Sequence, residues 1–215
     1  ANTYLLQQFF SPHSNRRQDS WGGSREKRTR FPIEVLTKVQ HVVAEKEASH
    51  FIIGYRFSPE EIEEPGIRFE DTMFLLNTLA EYEPDYFHIS ANSYQRTSIV
   101  NQEDTEPLIN KYIKMQSAQL AKIPLIGVGS IAQRQDAEHA LELGYDLLSV
   151  GKAYLVEPQW TDKISQNEEV EQFVDIHDQK VLHIPSPLWK VMDFMILDKE
   201  EEHRKYEKLK ALQNK

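Results

Sequence analysis

Two apolar runs, Leu125–Ile131 (LIGVGSI) and Leu147–Ala153 (LLSVGKA), each close on Val-Gly followed by a polar residue. The residues between them, QRQDAEHALELG, have helical spacing and end on a glycine. Strand, glycine, helix, strand, glycine in so short a span leaves few folds. Two strands joined by a helix run parallel, and the crossover between them is right-handed. The same alternation runs back along the chain. FIIGYRFS (Phe51–Ser58) reads as a buried strand stopped by Pro59, and DYFHIS (Asp85–Ser90) as a second. Helices are expected over Phe31–Glu45, with Ile33, Leu36, Val39, Val42 and Val43 on one face and Pro32 in the first turn. They are also expected over Phe69–Tyr82 (Phe74, Leu75 and Leu79 inward), Pro107–Leu120 and Asp136–Leu143. Residues 11–30, polar and rich in Arg, Ser and Gly, read as a loop. The pattern predicts an α/β fold, either a doubly wound sheet or a (β/α)8 barrel. No G-x-G-x-x-G follows any strand, so a dinucleotide-binding unit is not supported.

The two glycines suggest a purpose. A phosphate needs several backbone N–H donors at close range, and glycine permits that approach because it lacks a Cβ. In (β/α)8 barrels the loops after strands seven and eight often build such a site. Gly129 and Gly151 are therefore candidates for one phosphate cradle, with Lys152 adding a cation. The plain alternative is that each glycine only eases a tight turn.

Side-chain alternation adds a second candidate. Ile52, Gly54, Arg56 and Ser58 share one face of their strand, and Ile53, Tyr55 and Phe57 take the other, under the helices. Arg56 then points into the barrel near its carboxyl mouth. A guanidinium there needs an anion or an electron-rich ring edge, or else a structural ion-pair partner. His88 and Ser90 face the same way, and His88 reads as a hydrogen-bonded core histidine.

Composition narrows the classes. The net charge of −9 argues against a nucleic-acid partner, which would want a basic face. No stretch approaches the roughly 20 apolar residues of a membrane span. The absence of cysteine removes disulfides, thiolate nucleophiles and cysteine-held iron–sulfur clusters. No metal site is indicated. The opening Ala1-Asn2-Thr3-Tyr4 has neither a basic nor a long apolar region, so a cytoplasmic location is expected.

The opening ANTYLLQQFFSPHSNRRQDSWGGSREKRTRF resembles a segment of the old yellow enzyme family of flavin-dependent ene-reductases. That segment runs A-N/H-G-Y-L-x-x-Q-F, then S/D-P-x-x-N-x-R-x-D-x-Y/F-G-G-S-x-E-N-R. YRFSP is similar to that family's fifth-strand arginine motif, and IGVGSI and SVGKAYLVEPQW to its seventh and eighth strands. HIPSPLW resembles the tail of some members, so the likeness runs from residue 1 to about residue 192. It implies FMN as cofactor, NADH or NADPH as reductant, and reduction of an activated, enone-type alkene.

The same resemblance assigns roles to residues. Tyr4 matches the proton donor to the substrate α-carbon, and a phenol is protonated at neutral pH. Asn2 matches the residue that hydrogen-bonds the activating carbonyl. Arg56 matches the arginine at the flavin N1/O2 edge, and Gly129, Ser130, Gly151 and Lys152 match the phosphate loop. Two departures stand out. Thr3 occupies a position that is usually glycine, and Lys152 one that is usually arginine. The charges Arg17/Asp19 and Glu26/Arg28 read as loop-ordering pairs.

The resemblance further implies a chain equivalent to the C-terminal half of the barrel, about strands five to eight, over residues 1–197, with a charged helix over 198–215. Such a half would need its N-terminal half or self-association to cover the open interior. Three rivals stand beside this reading: a relative with an iron–sulfur cluster and a second flavin domain, which the absence of cysteine and of a downstream G-x-G-x-x-G argues against; a phosphate-sugar isomerase or lyase barrel, which would not explain the opening motif; and a non-catalytic fragment.

Overall fold

A computed structural model describes residues 1–48, 50–172, 179–180 and 182–192. The expected boundary at residue 197 and the charged helix beyond it lie outside the described residues. The chain divides into two compact units, one of Ala1–Ser130 with Ala137–Ser149 and one of Ile131–Asp136 with the residues from Val150 onward.

The first unit holds four strands, β1 (Gly54–Phe57), β2 (Tyr86–Ile89), β3 (Leu125–Val128) and β4 (Leu147–Ser149). They form one parallel sheet in the order β1-β2-β3-β4. A doubly wound sheet reverses its strand order at a switch point, whereas a barrel adds each strand beside the last. The consecutive order therefore matches the barrel alternative. Two aspartates set the register. Asp85, just before β2, exchanges hydrogen bonds with Ile53: its N–H donates to the Ile53 carbonyl (2.8 Å), and its Oδ2 accepts from the Ile53 N–H (2.6 Å). Asp146, just before β4, does the same to Leu125 at 3.0 and 2.8 Å.

The strands are shorter than the apolar runs suggest. Phe51 and Ile52 are exposed and precede β1. The alternation nevertheless holds, because Tyr55 and Phe57 are buried while Gly54 and Arg56 are not. The buried set on that outer face continues through Phe87, Ile89 and Leu125. Helix α3 (Phe69–Ala80) contributes Met73, Leu75, Leu76 and Leu79, and α4 (Leu108–Met115) contributes Leu108, Ile109 and Tyr112. Phe74, expected inward, is only partly buried and instead carries the Arg25 guanidinium 4.2 Å above its ring. Helix α5 (Arg134–Leu143) buries Ala137 and Ala140.

The N-terminal segment departs most from expectation. Helix α1 spans Leu5–Phe10, and α2 spans Arg25–Glu45, so residues 25–30 are helix and Pro32 lies in the helix interior. Ser24 starts α2 by accepting from the Lys27 N–H, and Glu26 in the first turn suits the helix dipole. A hydrogen bond from its own backbone N–H first, and the Ser24 side chain second, hold the Glu26 carboxyl below its ordinary range. Arg28 does not pair with Glu26 as expected. It is buried and donates to the carbonyls of Phe10 (2.8 Å) and Gly23 (2.5 Å), tying α1 to α2. Arg17 does pair with Asp19.

In the second unit α6 (Lys152–Val156) and α7 (Trp160–Ser165) follow one another, and α8 spans Ser186–Met192. The Trp160 indole donates to the Ala132 carbonyl (2.6 Å), Arg134 donates to the Ile164 carbonyl (3.1 Å), and Lys163 pairs with Glu157. Among the described residues, no helix is long and apolar enough to cross a membrane.

Phe87 is fully buried, whereas Leu147 is 53% exposed. Phe87→Ala is expected to lower unfolding free energy by about 3–5 kcal/mol, and Leu147→Ala by less than about 0.5 kcal/mol, both read from urea denaturation.

Candidate functional site

Directly paired residues of in-register parallel strands share a face. Arg56 pairs with His88, His88 with Ile126, and Ile126 with Leu147, so these four form one row across the inner face. Ser58 and Ser90 lie two residues farther along β1 and β2, at the carboxyl edge, and Gly129–Ser130 follow β3 there. Arg56 is exposed and has no ion-pair partner among the described residues, so a structural ion pair does not account for it. Its neighbour His88 has its Nε2 buried without a hydrogen-bond partner. The hydrogen-bonded core histidine expected from the sequence is therefore not what the fold presents. Burial first, and the Arg56 charge second, lower the imidazole pKa and favour its neutral form.

Asn2 reaches the same edge. Its N–H donates to Ser58 Oγ (2.8 Å), and its Oδ1 accepts from Ser90 Oγ (2.7 Å). With Oδ1 committed, the Nδ2 donor is what the side chain can offer a substrate oxygen. Asn2 and Thr3 both adopt left-handed backbone, at φ 54° and 62°, and the Tyr4 N–H closes the turn on the Ala1 carbonyl (3.1 Å). Two successive positive φ values define the turn type that prefers Asn-Gly. This explains the usual glycine at Thr3 and makes the β-branched threonine a strained choice. Three contacts hold it: Thr3 Oγ1 donates to the Asn2 carbonyl, Thr3 N–H to Gln7 Oε1, and Gln8 Nε2 to the Thr3 carbonyl. Tyr4 stands at the start of α1 and is 75% exposed.

Two adjacent buried carboxylates flank this edge. Glu60 accepts from Ser98 Oγ and the Ile99 N–H, both at 2.9 Å, pinning the long loop between β2 and α4. Glu61 accepts from Gln7 Nε2, Ser11 Oγ and the Ile67 N–H. Sequence reading gave no role to Glu60, Glu61, Gln7, Ser58 or Ser90. The one available signal was position, since Ser58, Glu60 and Glu61 all lie in the YRFSPEE stretch after β1.

The two glycines differ. Gly129 has φ 98°, and a Cβ there would meet the Asn92 carbonyl carbon at 2.5 Å and the Ser93 nitrogen at 2.6 Å. Its carbonyl accepts from the Tyr94 N–H (3.0 Å), and Ser130 Oγ donates to the Asn92 carbonyl (3.0 Å). The Ser130 hydroxyl is thus occupied, leaving its backbone N–H as the group available to an anion. A Cβ on Gly151 would meet nothing within 4 Å, so packing does not require that glycine. Gly151 caps α6, and the exposed Lys152 opens it. Gly129 and Ser130 belong to the first unit, Gly151 and Lys152 to the second. Among the described residues, no cluster of acidic, histidine or cysteine side chains could hold a metal ion.

Residues 1–171 match the model of the NADH:flavin oxidoreductase / NADH oxidase family. The chain is 61% identical over 214 residues to an NADH:acrylate oxidoreductase of Vibrio harveyi, covering 100% of this chain and 21% of that protein. It is 51% identical to an NADH:fumarate oxidoreductase of Klebsiella pneumoniae, covering 92% and 22%. A probable NADH-dependent flavin oxidoreductase of Bacillus subtilis is 39% identical, covering 89% and 51%. The chain thus spans about a fifth of the first two relatives and about half of the third. Among solved structures, morphinone reductase superposes with a TM-score of 0.59 at 22% identity, covering 80% of this chain and 43% of that one. An old yellow enzyme homologue from Zymomonas mobilis gives 0.61 at 17%, covering 87% and 49%. The sheet is accordingly part of a (β/α)8 barrel, with about half of one present.

Gly129→Ala is expected to cost at least about 2 kcal/mol of stability, from overpacking against backbone and a disallowed φ, while Gly151→Ala leaves the melting temperature unchanged. Thermal unfolding of the two variants checks this. His88 adds a pH dependence. Below about pH 6.5 the unfolded chain takes up a proton at this imidazole that the folded chain resists. Its stabilising effect is therefore complete above that pH and is lost as pH falls through the lowered folded pKa. Urea midpoints measured across pH 5–7 should show a shallower slope for His88→Asn than for the parent.

Proposed function

The chain belongs to the NADH:flavin oxidoreductase / NADH oxidase family, and from that premise we propose that it forms the carboxyl half of an FMN-binding barrel that reduces an activated alkene. FMN, if held here, would supply the hydride chemistry between NADH or NADPH and the alkene β-carbon. The residues suit that group. Arg56, unpaired among the described residues, offers a cation to the flavin N1/O2 edge, where negative charge gathers on reduction. The neutral His88 beside it adds no second charge. Gly129 and Ser130, and separately Gly151 and Lys152, are the residues assigned to the phosphate. The open space at the Gly151 Cβ position supports that assignment.

Asn2 Nδ2 donates to the substrate oxygen as enolate charge develops there. Tyr4 Oη gives its proton to the α-carbon. The names of the two most similar relatives described above favour α,β-unsaturated carboxylates such as acrylate and fumarate as substrates. The single observation carrying this reading is the Asn2 side chain, fixed between Ser58 and Ser90 at the carboxyl edge of the sheet that presents Arg56.

The lengths of those relatives support a second reading. A half-barrel that covers 51% of the Bacillus protein covers only 21% of the acrylate relative. Proteins of that length carry more than a barrel, and the barrel would then oxidise NADH and pass electrons to another part. In either reading the inner face, with Leu147 exposed, calls for an N-terminal half-barrel or a second copy.

Rapid mixing of the FMN-loaded protein separates the two readings. Under the first, acrylate or a simple enone reoxidises the reduced protein. Tyr4→Phe then slows that step by about 10²-fold or more while leaving reduction by NADH within about twofold. Reduction by NADH without reoxidation by either alkene selects the second.

A further inference from the structure

The turn bearing Asn2 is intrinsically unfavourable, because Thr3 is β-branched and sits at φ 62°. What holds it can be traced inward. The Thr3 N–H donates to Gln7 Oε1 at 3.1 Å. Gln7 is buried, and its Nε2 donates to Glu61 Oε1 at 2.7 Å. A glutamine amide can turn over and exchange its oxygen and nitrogen with almost no change in shape. Only a neighbour that demands one orientation settles which end faces which partner. A carboxylate accepts and the Thr3 N–H donates, so Gln7 presents its NH2 to Glu61 and its oxygen to Thr3.

Glu61 is itself held. Its Oε2 accepts from Ser11 Oγ (2.5 Å) and the Ile67 N–H (3.0 Å), and its own N–H donates to the Ile67 carbonyl (2.9 Å). Its side-chain partners are all neutral donors, and it forms no ion pair among the described residues. Although Arg68 Nη1 donates to the Glu61 carbonyl (3.0 Å), a buried carboxylate with no ion-pair partner among the described residues is a costly way to brace a loop. Its acceptor-only chemistry is what the Gln7 amide requires.

We propose that Glu61 is a positioning residue for alkene reduction, acting through the Gln7 amide to hold the Asn2–Tyr4 turn in its left-handed conformation. This rests on the reading of Asn2 and Tyr4 given above. It also explains how threonine is tolerated where the family usually has glycine. The polar relay supplies the hold that a glycine, content at positive φ, would need less.

The test uses the FMN-loaded protein with Glu61→Gln, Gln7→Met, Tyr4→Phe and the double variant Thr3→Gly/Glu61→Gln. Glu61→Gln is expected to slow reoxidation by acrylate or an enone by about tenfold or more, since small misplacements of reacting groups are costly. Reduction by NADH should stay within about twofold. NMR of the Thr3 amide should show hydrogen exchange at least about tenfold faster. Adding Thr3→Gly should recover most of the lost reoxidation rate, which a general loss of packing would not permit. Unchanged Thr3 exchange, or equal slowing of both half-reactions without recovery by Thr3→Gly, overturns the proposal. Should Glu61→Gln fail to fold, Gln7→Met leaves Glu61 its Ser11 and Ile67 donors and is expected to give the same pattern. Parent-like reoxidation in that variant likewise overturns the proposal. Tyr4→Phe separates the premise: if it leaves reoxidation unchanged, the assignment of Tyr4 fails, and Thr3 exchange still judges the relay on its own.

Discussion

In-register parallel pairing with a two-residue side-chain period is the constraint on which the site depends. Because Arg56, His88, Ile126 and Leu147 pair in succession, they must share one face. A slip of one residue would turn Arg56 under the helices and bring Tyr55 or Phe57 out. The Asp85 and Asp146 clasps act on this register: Asp85, just before β2, binds Ile53, just before β1, and Asp146, just before β4, binds Leu125, the first residue of β3. The face that carries Arg56 and His88 is thus a consequence of strand alignment, and the alignment is fastened by carboxylates at the amino ends of the strands.

The second level of organisation is polar and buried. Glu60 and Glu61 leave the same turn after β1 in two directions, one toward the loop beyond β2 and the other toward α1. Donors from those segments, the Ser98 hydroxyl and Ile99 N–H on one side and the Gln7 amide and Ser11 hydroxyl on the other, converge on these two carboxylates. The recognisable opening motif gains a physical meaning in this light. Ser24 caps α2, Arg28 binds the Phe10 and Gly23 carbonyls, and Asn15 donates to the Phe9 and Trp21 carbonyls. Most of that motif is scaffold, and its cost in buried polar groups keeps a short strained turn in one conformation.

The glycines illustrate how one sequence signal can stand for two physical situations. Gly129 is demanded by packing, since the backbone of Asn92 and Ser93 occupies the space a side chain would need. Gly151 faces open space, so its smallness answers no neighbour among the described residues. In the sequence both read alike, as Val-Gly before a polar residue.

The order of strands and helices and the face on which Arg56 stands were legible in the sequence, because each follows from local periodicity and chain punctuation, whereas the choice of a barrel over a doubly wound sheet came only with the family likeness. The family likeness rested on a long ordered motif that needs no coordinates. Local pattern did not reveal where α2 begins, because Ser24 and Pro32 carry conflicting start signals, and in the fold Ser24 caps the helix while Pro32 lies buried inside it. Nor did it reveal that His88 lacks a partner, or that Ser58 and Ser90 seize Asn2 across 56 and 88 residues of chain. The Gln7–Glu61 contact closes a separation of 54 residues. Periodicity tells which way a side chain points, but hydrogen-bond partners are chosen by which strand ends meet, and only the folded chain decides that.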